Sequence, residues 1–267
     1  MLLKPIKNKF IFYILLFNLI VSINVARENI PVTLKNVDVT ENLGASVKLD
    51  LNFKNTEDNN ILFSNLISNE KVTILNFAYY TCPMLCHFVL NGMVKSLNIL
   101  NSENQNIKDK YQLITISIDP DDTKESASNF KNRYVSQLNR KINWEFLFGN
   151  QNNINEITKK IGFNYFYNTK NNEFSHSAVI FIISPKGKIS RYLYGFEFDK
   201  EDLKLSIIEA RLEKSRSVVE RLLLFCYNYD PIKKKYVIYA VNLMKISGII
   251  TILSLLILFL YLKRKYR

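Results

Sequence analysis

The stretch Phe77-Ala78-Tyr79-Tyr80-Thr81-Cys82-Pro83-Met84-Leu85-Cys86-His87 decides the fold. On its N-terminal side Val72–Phe77 is a short β-rich apolar run, the pattern of a buried strand. On its C-terminal side Leu85, Val89, Met93, Leu97 and Leu100 recur at helical spacing, so a helix follows directly. Pro83 suits the first helical turn, where its missing N–H costs nothing. The two cysteines therefore sit at a strand-to-helix turn, four residues apart, on one helix face and within reach of one metal ion. A helix N-terminus also stabilises thiolate, the form that binds metal or attacks a disulfide. Soft thiolates favour Cu(I), and an added imidazole accommodates Cu(II) as well.

Outward from this turn the pattern alternates. Leu113–Ile118 reads as a second buried strand, and Thr123–Leu138 as a solvent-facing helix with Ala127, Phe130 and Tyr134 on one side. Glu145–Phe148 reads as a short strand and Ile154–Ile161 as another helix. Val179–Ile183 and Ile189–Tyr194 flank Ser184-Pro185-Lys186-Gly187, a hairpin turn. Leu203–Leu212 is a final helix. The Asn-rich stretches 52–60, 101–110 and 168–173 read as loops. With no internal repeat and no Gly/Ser linker, residues 28–226 form one domain. Strands alternating with helices and a closing hairpin predict an α/β fold, a thioredoxin-like sandwich.

Only two histidines can complete a ligand set. His87 follows Cys86 directly, about 100° round the helix, and is expected to point away from the sulfurs. His176 lies immediately before the strand Val179–Ile183, where a thioredoxin-like sandwich turns its entering loop toward the dithiol helix. Thioredoxin-type oxidoreductases place a cis-Pro in that loop. Here no Pro occurs between Pro120 and Pro185, and Ser175-His176 fills the slot. An imidazole in place of a substrate-docking proline moves the site from thiol exchange toward metal binding.

The ends bear on the compartment. Of the formal net charge of +12 on 267 residues, residues 1–27 supply four and residues 263–267 another four. Both basic ends flank apolar runs, a membrane signature rather than a nucleic-acid footprint. Lys4, Lys7 and Lys9 precede the apolar run Phe10–Ile23, so residues 1–26 read as a signal peptide or an uncleaved anchor; Ala26 offers a small residue for cleavage, while Asn24 fits the pattern poorly. Residues 246–262 are apolar at the short end of membrane-spanning length, with Tyr236, Tyr239 and Tyr261 as an aromatic belt. The tail 263–267 then lies in the cytoplasm by the positive-inside rule, and 227–245 is juxtamembrane. The expected location is the inner, cytoplasmic membrane with a single span and the domain in the periplasm or otherwise outside the cytoplasm. Composition, with 48% hydrophobic and 22% charged residues, excludes a disordered chain, and three cysteines are too few for a disulfide scaffold. Cys226, the leftover thiol, reads as a buried small hydrophobe.

Tyr79-Tyr80-Thr81-Cys82-Pro83-Met84-Leu85-Cys86, followed by Leu90-Asn91-Gly92-Met93, resembles the Sco/SenC family of copper-binding proteins, in its membrane-anchored bacterial branch. So do Ser117-Ile118-Asp119-Pro120 with Asp122-Thr123, the segment around His176, Ser190–Gly195 and Leu223–Pro231. The resemblance extends from Asn36 to Met244. It implies a thioredoxin-like fold, copper held as Cu(I) or Cu(II) by Cys82, Cys86 and His176, and metallation of the dinuclear copper centre of a haem-copper cytochrome oxidase. It further implies that the chain can help reduce the cysteines of that centre. Its partners would be the oxidase's copper-centre subunit, a copper donor protein and a thiol reductant, with no nucleic acid, and no substrate turnover is expected. Some members carry Asp directly before the ligand His. Ser175 stands there in this chain, which leaves Asp119, by position, as the residue to orient the imidazole.

The runner-up is an extracytoplasmic thiol–disulfide oxidoreductase with Cys82 and Cys86 as its redox pair. A peroxidase of similar fold is third, because it would need Thr or Ser where Tyr79 stands.

Overall fold

In the computed structural model, residues 38–212 are described except 48, 68–69, 104–106 and 108, together with 227–230 and 235–238. Strand β3 (Val72–Ala78) lies at the centre, and every one of its residues is buried. It pairs in parallel with β4 (Tyr111–Ser117), equally buried, which pairs in parallel with β5 (Trp144–Leu147). On its other side β3 runs antiparallel to β8 (Val179–Ile183), and β8 antiparallel to β9 (Ile189–Tyr194). The sheet order is β5-β4-β3-β8-β9. Strands buried on both faces need cover on both faces, which is why they read as continuous apolar runs rather than alternating ones.

Helices supply that cover: α2 (Leu85–Glu103), α3 (Lys124–Val135), α4 (Gln151–Ile161) and α5 (Lys200–Leu212). Helix α5 packs on β3, β8 and β9 and against α2, while α3 packs on β5. Thr123 caps α3 through a reciprocal box with Ser126, and Asn150 caps α4, which ends at Gly162 in the left-handed region at φ 77°. Gly92 is a contact of another kind. A Cβ there would stand 1.7 Å from the Phe196 carbonyl oxygen, so only glycine lets α2 approach the turn after β9.

Two hairpins depart from the sequence reading. The stretch read as a loop over 52–60 carries β1 (Asn52–Lys54), paired with β2 (Asn60–Leu62) ahead of the short helix α1 (Phe63–Leu66). Likewise β6 (Tyr165–Asn168) pairs with β7 (Glu173–His176), so residues 168 and 173 are strand ends rather than loop. Three- and four-residue strands are too short for a periodicity to register. The segment read as juxtamembrane contains an antiparallel pair, β10 (Tyr227–Asp230) and β11 (Lys235–Ile238). Among the described residues no helix is long and apolar enough to cross a membrane. The expected signal segment 1–26, the span 246–262, the tail 263–267 and Cys226 lie outside the described residues.

Candidate metal centre

Strand β3 ends at Ala78, and α2 begins at Leu85 after six intervening residues. A buried carboxylate pins this turn. The Tyr80 N–H donates to Asp122 Oδ2 at 2.8 Å, the Ser117 hydroxyl donates to the same oxygen, and the Ser126 hydroxyl donates to Oδ1 at 2.8 Å. Tyr80 is buried, and its hydroxyl donates to the Leu147 carbonyl at 2.6 Å. The turn is thereby tied to β4, α3 and β5 before the cysteines are reached.

Within the turn the Cys82 N–H donates to the Tyr79 carbonyl at 3.1 Å, and the Cys86 N–H donates to Cys82 Sγ at 3.3 Å. Both cysteines are free, with Cys82 4% and Cys86 1% exposed. The two thiols differ sharply. The Cys86 S–H donating to the Cys82 sulfur is the largest influence drawing the Cys82 pKa down to about 5, against the opposing effect of burial. Burial, and then the neighbouring Cys82, push Cys86 well above the ordinary thiol range. Cys82 is the thiolate and Cys86 the thiol.

His176 is the last residue of β7, not part of a loop as expected, and it pairs in register with Tyr165. The hairpin brings its Nε2 to 3.6 Å from Cys86 Sγ. Two bonds of about 2.3 Å to sulfur and 2.0 Å to nitrogen, meeting at a tetrahedral angle, would span about 3.5 Å. The imidazole is 7% exposed, between Phe163 at 5.6 Å and Tyr79 at 6.5 Å. Burial lowers its pKa, so the ring is neutral at physiological pH. Its Nδ1 lies 3.0 Å from the Ser177 carbonyl. A carbonyl only accepts, so Nδ1 carries the proton and Nε2 presents its lone pair toward Cys86. The residue that orients the imidazole is therefore Ser177, through its backbone. Asp119, assigned by position, instead accepts the Asp121 N–H on Oδ1 at 2.9 Å.

The three side chains are not gathered into a closed ligand set. Among the described residues no group of three or more His, Cys, Asp or Glu is spaced to hold a metal ion. The Cys86–His176 pair has ligand spacing, and Cys82 is joined to it by hydrogen bonds to Cys86. His87 points away, as expected: its Nδ1 meets the Tyr134 hydroxyl, its Nε2 lies 3.1 Å from Arg133 Nη1, and its ring stacks on Phe130.

Sequence reasoning passed over Asp122 as an anchor, Ser177 as an orienter and Tyr79 as a neighbour of the sulfurs. Asp122 stood in a stretch already singled out. A backbone carbonyl carries no residue-type signal.

Comparison with known proteins agrees with this architecture. An SCO2-like protein of Rickettsia conorii is 26% identical over 161 residues, covering 56% of this chain and 71% of its own length. An SCO2-like protein of Rickettsia felis gives the same values. Among solved structures, one similar fold is BsSco, a member of the Sco family of cytochrome c oxidase assembly proteins in which a disulfide switch has been identified. It has a TM-score of 0.52 and 22% identity, covering 65% of this chain and 97% of BsSco. Arabidopsis thaliana ScoI with copper bound has a TM-score of 0.51 and 18% identity, covering 65% of this chain and 99% of ScoI. These two likenesses establish the thioredoxin-like Sco fold. The SCO1/SenC family model matches residues 43–210, which is more than half of the sequence, and the chain belongs to that family.

Proposed function

We propose that this protein is a copper metallochaperone that binds copper through Cys82, Cys86 and His176 and delivers it to the dinuclear copper centre of a haem-copper cytochrome oxidase. One observation carries the reading: His176 Nε2, with its lone pair turned toward Cys86, stands 3.6 Å from Cys86 Sγ, both side chains buried. Two sulfurs and one imidazole are a soft donor set that suits Cu(I) and still accepts Cu(II). Arabidopsis thaliana ScoI, which shares the fold, has copper bound, and this supports copper as the metal. Loading would expel the Cys86 thiol proton and turn the Cys82 side chain toward the Cys86–His176 pair. Delivery would proceed by ligand exchange with the copper-centre subunit, after a copper donor protein and a thiol reductant had prepared the site. The domain would work outside the cytoplasm, held to the inner membrane by residues 246–262.

A thiol–disulfide oxidoreductase is the second reading, and the opposed thiols favour it. A thiolate at Cys82 beside a protonated Cys86 is the arrangement of a nucleophile and its resolving thiol. The two readings separate on His176. Metal content and the visible thiolate-to-Cu(II) charge-transfer band are measured for the wild type and four variants. His176→Ala loses Cu(II) outright and weakens Cu(I) much less, and Cys82→Ser or Cys86→Ser loses both ions. His87→Ala, whose ring faces Tyr134 and Arg133, keeps the band. An undiminished band in His176→Ala, or a lost one in His87→Ala, overturns the ligand assignment.

A further inference from the structure

The hairpin that carries His176 stands apart from the five-stranded sheet: among the described strands, β6 and β7 pair only with each other. Its position beside the cysteines therefore depends on what ties it to the rest of the fold. Tyr165 stands directly opposite His176 in the register, so the two side chains share one face of the hairpin. Both rings pack against Phe163, at 6.2 Å for Tyr165 and 5.6 Å for His176, and Tyr165 also lies 6.0 Å from Phe174. The Tyr165 hydroxyl reaches out of the hairpin to helix α4. It accepts from Gln151 Nε2 at 2.9 Å and donates to Asn155 Oδ1 at 3.1 Å, and Gln151 also donates to Asn155 at 2.7 Å. Helix α4 is itself fixed, with Ile154, Ile157 and Ile161 buried in the core. Among the described residues, the side-chain hydrogen bonds from the hairpin to another element are those of Tyr165 and the approach of His176 to Cys86.

We propose that Tyr165 is a positioning residue for the copper ligand His176, its hydroxyl latching the hairpin to α4 and so holding Nε2 at the 3.6 Å from Cys86 Sγ that one metal ion can bridge. The inference rests on the copper reading above. A ligand already in place spares the incoming metal the cost of ordering it. Where only a fraction of the molecules hold the imidazole in place, apparent affinity falls by that fraction. The two oxidation states feel this unequally. Cu(II) depends on the nitrogen, whereas Cu(I) is held largely by the sulfurs, so a loosened hairpin costs Cu(II) more. The ring contacts of Tyr165 survive deletion of its hydroxyl, which lets the latch be removed by itself.

The test uses the full-length protein in competition against a chelator, with Cu(II) and Cu(I) measured separately. Tyr165→Phe should lower Cu(II) affinity about fivefold, on the scale of one neutral hydrogen bond, and Cu(I) affinity by less than about twofold. Asn155→Ala, on the exposed side of α4, should lower Cu(II) affinity by a smaller factor, about twofold, since Gln151 still donates to the hydroxyl. Adding it to Tyr165→Phe should lower the affinity no further, because the shared bond is already gone. An unchanged Cu(II) affinity in Tyr165→Phe, equal losses for the two oxidation states, or fully additive losses in the double variant overturns the latch while leaving the copper reading intact. A wild type that binds neither oxidation state overturns both. Should Tyr165→Phe fail to fold, Asn155→Ala decides, and an undiminished Cu(II) affinity there refutes the role.

Discussion

Replacing Asp122 tests whether the dithiol turn is held from beneath. Its carboxylate accepts the Tyr80 N–H and the hydroxyls of Ser117 and Ser126. Asp122→Ala removes all three, but the partners are not equally exposed to the loss. Ser126 Oγ already donates to the Thr123 carbonyl at 2.9 Å, and Ser117 Oγ lies 3.3 Å from the Asp119 carbonyl, so both hydroxyls have a second acceptor. The buried Tyr80 N–H has no such alternative among its described contacts. A stranded buried donor costs about 1–3 kcal/mol, and weakening two further bonds to a charge adds about 1 more, so the total is about 2–4 kcal/mol. Asp122→Asn keeps one carbonyl oxygen for Tyr80 and should cost roughly half as much. Denaturant unfolding of the full-length protein, followed by the fluorescence of Trp144, gives the midpoint shifts. The turn carries both cysteines, so Asp122→Ala should also weaken copper retention while His87→Ala does not. An Asp122→Ala midpoint equal to wild type would refute the idea that this carboxylate anchors the turn.

Two further outcomes follow from the thiols and the chain ends. The Cys82 pKa is drawn down to about 5, below the ordinary thiol range, so alkylation of Cys82 in the reduced apo protein, slowed by its burial, should be level across neutral pH and fall as the pH drops through about 5; Cys86 should resist alkylation until well above the ordinary range, and equal rates for the two at neutral pH would contradict the assignment. A reporter fused after Arg267 should be active only in the cytoplasm and one inserted within residues 101–110 only outside it, and like behaviour of the two would exclude a single span.

The parts of the fold legible in the sequence were those whose signal is long. Val72–Ala78 and Leu85–Glu103 each present a continuous apolar pattern, and β3 and α2 follow with boundaries displaced by a few residues. The β6–β7 hairpin was not legible. Its tip is a run of polar residues, with Asn172 in the left-handed region at φ 54°, and its strands are four residues long. Tertiary pairing, rather than local preference, makes them strands. His176 was identified correctly as the imidazole beside the dithiol but placed in the wrong element, for the same reason. Asp119 and Asp122 are equivalent to a reader of sequence, both acidic and both just past β4. Only packing tells them apart: Asp122 is 6% exposed beneath the Tyr80 amide, while Asp119 closes its own turn.

Placement on the hairpin, rather than in a flexible loop, changes what the imidazole can do. Ladder bonds to β6 fix the backbone of β7 through residue 176, and the Ser177 carbonyl then fixes the ring's tautomer, so Nε2 is presented to Cys86 before any metal arrives. The cysteines are prepared differently. Cys82 is already ionised, whereas Cys86 keeps a proton that it shares with Cys82. On the copper reading, an incoming Cu(I) would meet one thiolate and one imidazole at once, and would displace a single proton to recruit the second sulfur. The same proton on Cys86 keeps the pair from behaving as two free thiolates, and a disulfide substrate would meet the Cys82 thiolate first. On the two proposed readings, copper capture and disulfide exchange would begin at the same atom, and the imidazole would favour capture because it offers nitrogen to a metal and nothing to a disulfide.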